Sequence, residues 1–479
     1  MSTTQKLAQN TLVQIIGKVI ATIFGLAALL MMTRYLGAEQ FGWYTTVISY
    51  LGFAGIIIDF GMIPVTASML NETKFNKEHL FQNLLGFRFV SALLFFLIIP
   101  TIPLFVPFFG NYPQEVKTAI LFTSISFFAI TMNQIFVGYH QTKLQMHIQA
   151  IGEVIGRLFL MVGVFLLILG NATFLPFMWV VAGASIVYTL ISYGVTRTQT
   201  NVRFRFDAPI MKAIFTKMWP IAIAILCNVI YLKGDILLLA KFHTQTDVGI
   251  YGAAYRVLDI LTQLAMMIVG IFLPLLAFHW TRNNKDFFKK YLQQAFDALM
   301  IFILPAIVGI IVIADDIVAF FGNEEFIASA TPLRILAIGL FGIYLGAVFG
   351  HTAVAINKQR ATLWIYASNA IITLIGYLIF IPPFGMKGAA WMTVFSELYA
   401  GILLFLAIWY YSKTRLNFIT FLKAIIATAV MGITLTFCTS LNIVALIIIG
   451  TGVYGGVLYA IGGINKTTIK QMLSIKKQQ

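Results

Sequence analysis

Several ionisable residues sit inside stretches that are otherwise apolar: Lys18, Asp59, Arg88, Glu153, Arg157, Lys233, Asp235, Arg256, Asp259, Asp297 and Glu397. A charge at the centre of a bilayer costs about 2.5–3.5 kcal/mol on insertion scales, so each such residue must face a cavity or find a partner. Cations in this setting suit a phosphate-bearing ligand. Carboxylates suit the uptake of a proton or a cation. Glu153 and Arg157 are spaced i,i+4, and Arg256 and Asp259 i,i+3, so each pair could share a helix face. Lys233 and Arg256 come out at similar depth on consecutive antiparallel helices, which predicts a polar cluster with Asp235 and Asp259. Asp59 and Glu397 have no local partner and must find one elsewhere or bind a proton. Lys18, Arg88 and Asp297 lie near helix ends, where a long side chain can reach water by snorkelling. The six histidines and two cysteines show no metal-ligand spacing, and no Gly-x-x-x-x-Gly-Lys-Ser/Thr loop for ATP is present. The expected cofactor is therefore none, with H+ or Na+ as a coupling ion.

The elements that carry these residues are set by composition. The 479 residues are 60% hydrophobic and 10% charged, with a mean hydropathy of +0.90. A soluble fold cannot bury that much apolar surface, so lipid must be the solvent for most of the chain. Each helical span needs about 20 apolar residues. Fourteen stretches qualify: 11–33, 41–64, 84–109, 119–139, 148–169, 174–195, 218–242, 248–278, 291–321, 332–356, 361–381, 386–410, 421–437 and 443–464. The apolar stretch near the N-terminus reads as the first span rather than a cleavable signal peptide.

The net charge of +15 would suggest nucleic acid in a soluble protein, but here it reports loops on the cytoplasmic side. With both termini cytoplasmic, every inner loop is basic, from Lys74 and Lys77 to Lys476 and Lys477. No outer loop carries more than one Lys or Arg; those are Arg34, Lys117, Lys241, Arg334 and Lys387. A missed or invented span would scramble this alternation, so the positive-inside rule supports the orientation and the even count. No nucleic-acid partner is expected.

An internal repeat is visible. Arg34-Tyr35-Leu36-Gly37-Ala38-Glu39-Gln40-Phe41-Gly42-Trp43-Tyr44 and Lys241-Phe242-His243-Thr244-Gln245-Thr246-Asp247-Val248-Gly249-Ile250-Tyr251 each place a base at the end of one span. A turn follows, then an apolar-Gly-x-Tyr start to the next span. The stretches lie 207 residues, or six spans, apart, which predicts two like-oriented repeats. The expected architecture is all-α: a polytopic membrane protein of fourteen transmembrane helices in two six-helix bundles, residues 1–200 and 201–415. Two further helices and a basic tail occupy 416–479.

On these residues the chain resembles polysaccharide flippases of the multidrug/oligosaccharidyl-lipid/polysaccharide (MOP) exporter superfamily. The resemblance rests on Arg34-x-Leu36-Gly37-x-x-x-Phe41-Gly42-x-Tyr44, on Asp59-Phe60-Gly61, and on Lys233-x-Asp235. It extends to Val248-Gly249-x-Tyr251-x-x-Ala254-Tyr255-Arg256 and to Gly385-x-x-Gly388-Ala389-Ala390. It implies two bundles in a V around a cationic cavity, working by alternating access. It also implies transport of undecaprenyl-pyrophosphate-linked sugar units across a bacterial-type plasma membrane, upstream of a polysaccharide polymerase and downstream of glycosyltransferases. Lys18, Arg34, Arg88, Arg157, Lys233 and Arg256 become the expected pyrophosphate-binding set. Asp59, Glu153, Asp235, Asp259 and Glu397 become the expected ion-coupling set. The alternatives are a peptidoglycan lipid-precursor flippase or a drug/cation antiporter of the same superfamily. An embedded glycosyltransferase would need a catalytic acidic pair and a large outer loop, whereas the longest loop, near 196–217, is basic and inner, so no enzyme activity is expected.

Overall fold

A computed structural model describes residues 3–59, 62–71, 75–438 and 441–463. The described chain is helical throughout, joined by short turns. The helices are α1 (Thr3–Asp59), α2 (Met62–Asn71), α3 (Lys77–Ile98), α4 (Ile102–Phe105), α5 (Gln114–Thr142), α6 (Met146–Leu169), α7 (Phe174–Gln199) and α8 (Ala208–Phe242). They continue with α9 (Gln245–Thr281), α10 (Lys285–Val312), α11 (Ala314–Phe321), α12 (Ala330–Ala355), α13 (Leu363–Ser412), α14 (Ile419–Thr436) and α15 (Ile443–Ala460). Among the described residues, eleven helical segments are long and apolar enough to cross a membrane, which makes this a multi-pass membrane protein.

Two of those segments supply two crossings each. At 57 residues α1 would run roughly 85 Å if straight, far beyond a hydrocarbon core of about 30 Å. It bends at Gly37, which has φ 70° and ψ 177°, open to glycine and strained for other residues. The neighbours show that the chain doubles back. Before the bend, α1 runs alongside α6, with Gly17 against Ala150, Lys18 on Glu153 and the Tyr35 hydroxyl donating to the Ala172 carbonyl. After it, α1 and α2 run with α5: Gly55 lies against Phe127 and Gly138 against Thr66. In α13 the bend falls at Gly385 (φ 54°), and the two arms pair back to back. Tyr377 meets Thr393 at 2.9 Å and Ser368 meets the Tyr399 hydroxyl at 3.0 Å. A Cβ on Gly388 would sit 2.2 Å from the Phe380 carbonyl oxygen, so this hairpin needs glycine on its inner side. With these two hairpins and the 35-residue α8, the fourteen crossings read from hydropathy are present.

Several helices start earlier than the hydropathy reading, and two spans also end much earlier. The third span starts earlier, at Lys77, capped by the Asn76 side chain, and it breaks near Pro100 and Pro103 instead of running to Phe109. The ninth ends at Val312, and α11 follows as a separate short helix. Proline removes a helical donor and clashes with the preceding turn, which accounts for the first break. Pro274 and Pro305 lie within continuous α9 and α10.

Packing divides the chain into two compact units, Met1–Gly249 and Ile250–Gln479. In the first, α1 packs on α6 and α8, and α5 on α7. Its buried core at the basic end joins α2, α3, α5 and α8 through Val65, Phe81, Leu84, Ile135, Phe136 and Ile214. In the second, α12 packs on both arms of α13. Helix α14 lies on α10, where Gly432 leaves room for Val308. Helix α15 packs on α14, and its Tyr454 hydroxyl donates to the Ile301 carbonyl of α10 at 2.7 Å.

Candidate functional site

The two repeated stretches meet within the first unit. A Cβ on Gly42 would lie 1.8 Å from the Gln245 carbonyl oxygen, and one on Gly249 would lie 1.9 Å from the Ala38 carbonyl oxygen. Gly42 and Gly249 occupy equivalent repeat positions, as do Ala38 and Gln245. The contact therefore maps onto itself, as an isologous contact does across a two-fold axis. Glycine lets the two backbones touch, as small residues do between membrane helices. The turns that deliver these segments use different chemistry. The first passes through Gly37. The second leaves the helix at His243 and restarts with Thr244 and Asp247 capping each other, the Thr244 hydroxyl accepting from the Asp247 amide at 3.2 Å. The Asp247 carboxylate takes both the hydroxyl and the amide hydrogen of Thr244. Thr46 donates to the Gln245 side chain at 2.7 Å and locks the crossing from the side.

Deeper in the first unit, α1, α5, α6 and α7 enclose a polar cluster. Lys18 pairs with Glu153 at 2.7 Å, their side chains 38% and 21% exposed. The expected i,i+4 pair of Glu153 with Arg157 does not form. The α1 cation lies nearer, and Arg157 turns to an exposed position against Gly25. The Tyr188 hydroxyl lies among Asn133, Gln149 and Glu153. The Asn133 Oδ1 and Gln149 Oε1 oxygens are buried without a hydrogen-bond partner. A buried acceptor left unpaired costs about 1–3 kcal/mol, so these oxygens are placed to accept from water or a ligand.

Arg88 departs from the snorkelling expectation. It is wholly buried in α3, where its Nε donates to the Thr131 carbonyl at 3.0 Å and its Nη2 to Gln134 Oε1. Asp297 accepts from Gln293 at 2.9 Å. Arg34 lies exposed at the end of the first crossing, Lys233 is half-buried in α8, and Asp235 is buried with its Oδ1 accepting from the Ile236 amide. The Asp59 side chain lies outside the described residues.

In the second unit the expected i,i+3 pair is present: Arg256 Nη1 meets Asp259 Oδ2 at 3.3 Å, both side chains about a quarter to a third exposed. Glu397 is buried on the second arm of α13, where a Cβ on Gly342 of α12 would touch its backbone. Beside it runs a line of neutral polar groups. Thr373 donates to Asn369 Oδ1 at 3.2 Å, and Asn369 Nδ2 is buried and unpartnered. The reading of ionisable residues passed over Asn133, Gln149, Tyr188 and Asn369. The signal that would have found them is the scarcity of amides inside apolar helices. Among the described residues no cluster of His, Cys, Asp or Glu could hold a metal.

The described chain is thus a multi-pass helical membrane protein with polar clusters set inside its apolar helices. Among solved structures, the chain superposes on the lipid II flippase MurJ in its inward closed conformation with a TM-score of 0.79, at 16% identity over 94% of this chain and 98% of that one. It also superposes on an inward-facing multidrug resistance MATE family transporter with a TM-score of 0.69, at 15% identity over 84% and 98%. The chain belongs to the polysaccharide biosynthesis protein family, whose pattern matches residues 7–280. One relative is a Haloferax volcanii protein named as a low-salt glycan biosynthesis flippase, Agl15, 22% identical over 79% of each chain. Another is a Shigella flexneri protein named for O-antigen transport, 21% identical over 80% of this chain and 93% of that one.

Proposed function

We propose that the protein is a flippase that moves a polyprenyl-pyrophosphate-linked oligosaccharide across the plasma membrane by alternating access. The observation that carries this reading is the set of part-exposed cations on apolar helices: Lys18, Arg157 and Arg256. Hydrocarbon would not tolerate them so exposed; a wet chamber that receives an anion would. Arg34, Arg88, Arg157, Lys233, Arg256 and Lys18 form the proposed pyrophosphate-binding set, with Arg88 acting through the position of α3 and α5. The orphan oxygens of Asn133 and Gln149 suit the hydroxyl donors of a sugar. Family membership and the names of the relatives support the substrate class.

In this mechanism the bundles 1–200 and 201–415 open alternately to the two sides of the membrane, and helices in 416–479 flank the second bundle. The termini are cytoplasmic. The headgroup enters from the cytoplasm while the polyprenyl tail stays in lipid. A proton or sodium ion taken up at Asp59, Glu153, Asp235, Asp259 or Glu397 drives the return. Glycosyltransferases supply the substrate and a polymerase consumes it. Deletion of the gene tests the reading in cells: lipid-linked oligosaccharide should accumulate on the cytoplasmic face, and an unchanged pool would contradict it.

A further inference from the structure

The turn from α9 to α10 is strongly basic. Arg282, Lys285, Lys289 and Lys290 are exposed within nine positions, opposed locally by Asp286 alone. The Arg282 guanidinium lies over the Phe278 ring at 4.0 Å, and Lys290 stands over Phe287 at 5.8 Å. Phe287 in turn stacks on His279 at 5.1 Å, and His279 on Tyr291 at 5.2 Å. Cations held on ring faces give up less freedom when they bind than cations on free stems. Phe278 and Phe287 also keep nearly half of their surface exposed.

These groups frame a small recess of about 30 Å³ lined by His279, Trp280, Asn283, Asn284, Lys285 and Phe288. Inside the chain, His279 Nδ1 is buried without a hydrogen-bond partner. A second connection converges on the same end of α10: Gln293 donates to the Asn417 carbonyl at 2.8 Å and accepts from the Asn417 amide at 2.7 Å. This ties down the segment that carries exposed Lys413 and Arg415. Cationic heads, exposed aromatic rings and a small recess thus meet at the ends of two membrane helices. That combination matches a diacyl phosphate lipid, whose chains lie along the rings while its head faces the cations.

We propose that this corner binds the headgroup of an anionic glycerophospholipid in the leaflet on the basic side of the membrane. The site shares no residue with the polar cluster of the first unit and takes a bulk membrane lipid, not the transported one.

The test uses the full chain in detergent, titrated with phosphatidylglycerol or phosphatidylcholine, with bound lipid read by native mass spectrometry. Phosphatidylglycerol should be retained and phosphatidylcholine lost. Combined Arg282→Gln, Lys285→Gln, Lys289→Gln and Lys290→Gln should weaken phosphatidylglycerol about tenfold or more. Combined Arg197→Gln, Arg203→Gln and Lys212→Gln, on the α7–α8 connection, should leave it nearly unchanged. Equal retention of the two lipids, no loss in the fourfold variant or an equal loss in the α7–α8 variant would overturn the proposal. Displacement by inorganic pyrophosphate as readily as by phosphatidylglycerol would do the same, because the diacyl tail would then add nothing.

Discussion

Gly42 and Gly249 sit at equivalent positions of two repeats, and each leaves its missing Cβ to a carbonyl of the other repeat's turn. A substitution at either must therefore push the same two segments apart. Gly42→Ala and Gly249→Ala should each destabilise by about 1–3 kcal/mol or more, the range for overpacking a tight contact. The double variant should cost less than their sum, because one displacement makes room for both. Gly52→Ala, where nothing lies within 4 Å, is the control and should be neutral or slightly stabilising. Thermal unfolding in detergent reads all four, and additive losses would argue against a shared contact.

Lys18 and Glu153 form a part-exposed pair. Pairs of this kind contribute about 0–1 kcal/mol to stability, so Lys18→Ala and Glu153→Gln should barely move the unfolding temperature. If the pair serves transport, both should cut the flipping rate about tenfold or more. A large loss of stability with normal transport would assign the pair to helix packing instead.

Arg88 behaves in the opposite way. Its removal leaves the Thr131 carbonyl and Gln134 without their donor in a wholly buried place. Arg88→Ala should cost about 2–5 kcal/mol, and lowered yield with a depressed unfolding temperature is the expected result.

The connection into α8 carries a pH dependence outside the membrane. Asp207 lies below the usual carboxylate range, chiefly because Asn83 donates to it at 3.1 Å; partial desolvation opposes this, and Arg205 at 2.8 Å assists. A carboxyl depressed in the folded state stabilises above its unfolded pKa, and that contribution is lost as pH falls through the folded value. Asn83→Ala should therefore destabilise the chain at neutral pH. The part of the loss that depends on the charge should shrink in strong acid, where Asp207 is protonated in both proteins. A gap between the unfolding curves that is constant with pH would rule out the charge-dependent part.

Much of the fold is legible in the residues, because the bilayer imposes a length on each span and a charge on each loop. The fourteen crossings follow from those two constraints, and the repeat from the matching stretches 207 residues apart. Gly37 and Gly385 stand out as motif glycines, yet only backbone geometry shows that they leave helical φ/ψ and carry the hairpin turns. The partner of Glu153 was not legible. Arg157 is one turn away, Lys18 is 135 residues away, and only packing of α1 on α6 decides between them. Arg256 with Asp259 was legible, because both groups lie on one face of one helix. The amides of Asn133, Gln149 and Asn369 carry no charge, so nothing in a search for ionisable groups marks them.

Purified protein in liposomes loaded with a fluorescent polyprenyl-pyrophosphate oligosaccharide gives the most direct measurement. Exposure of the sugar head to a membrane-impermeant quencher should rise with time in the presence of the protein. Arg256→Ala and Lys233→Ala should slow it about tenfold or more. Sugar exposure no faster than in empty liposomes would contradict the account, and full activity of both variants would remove the proposed anion site.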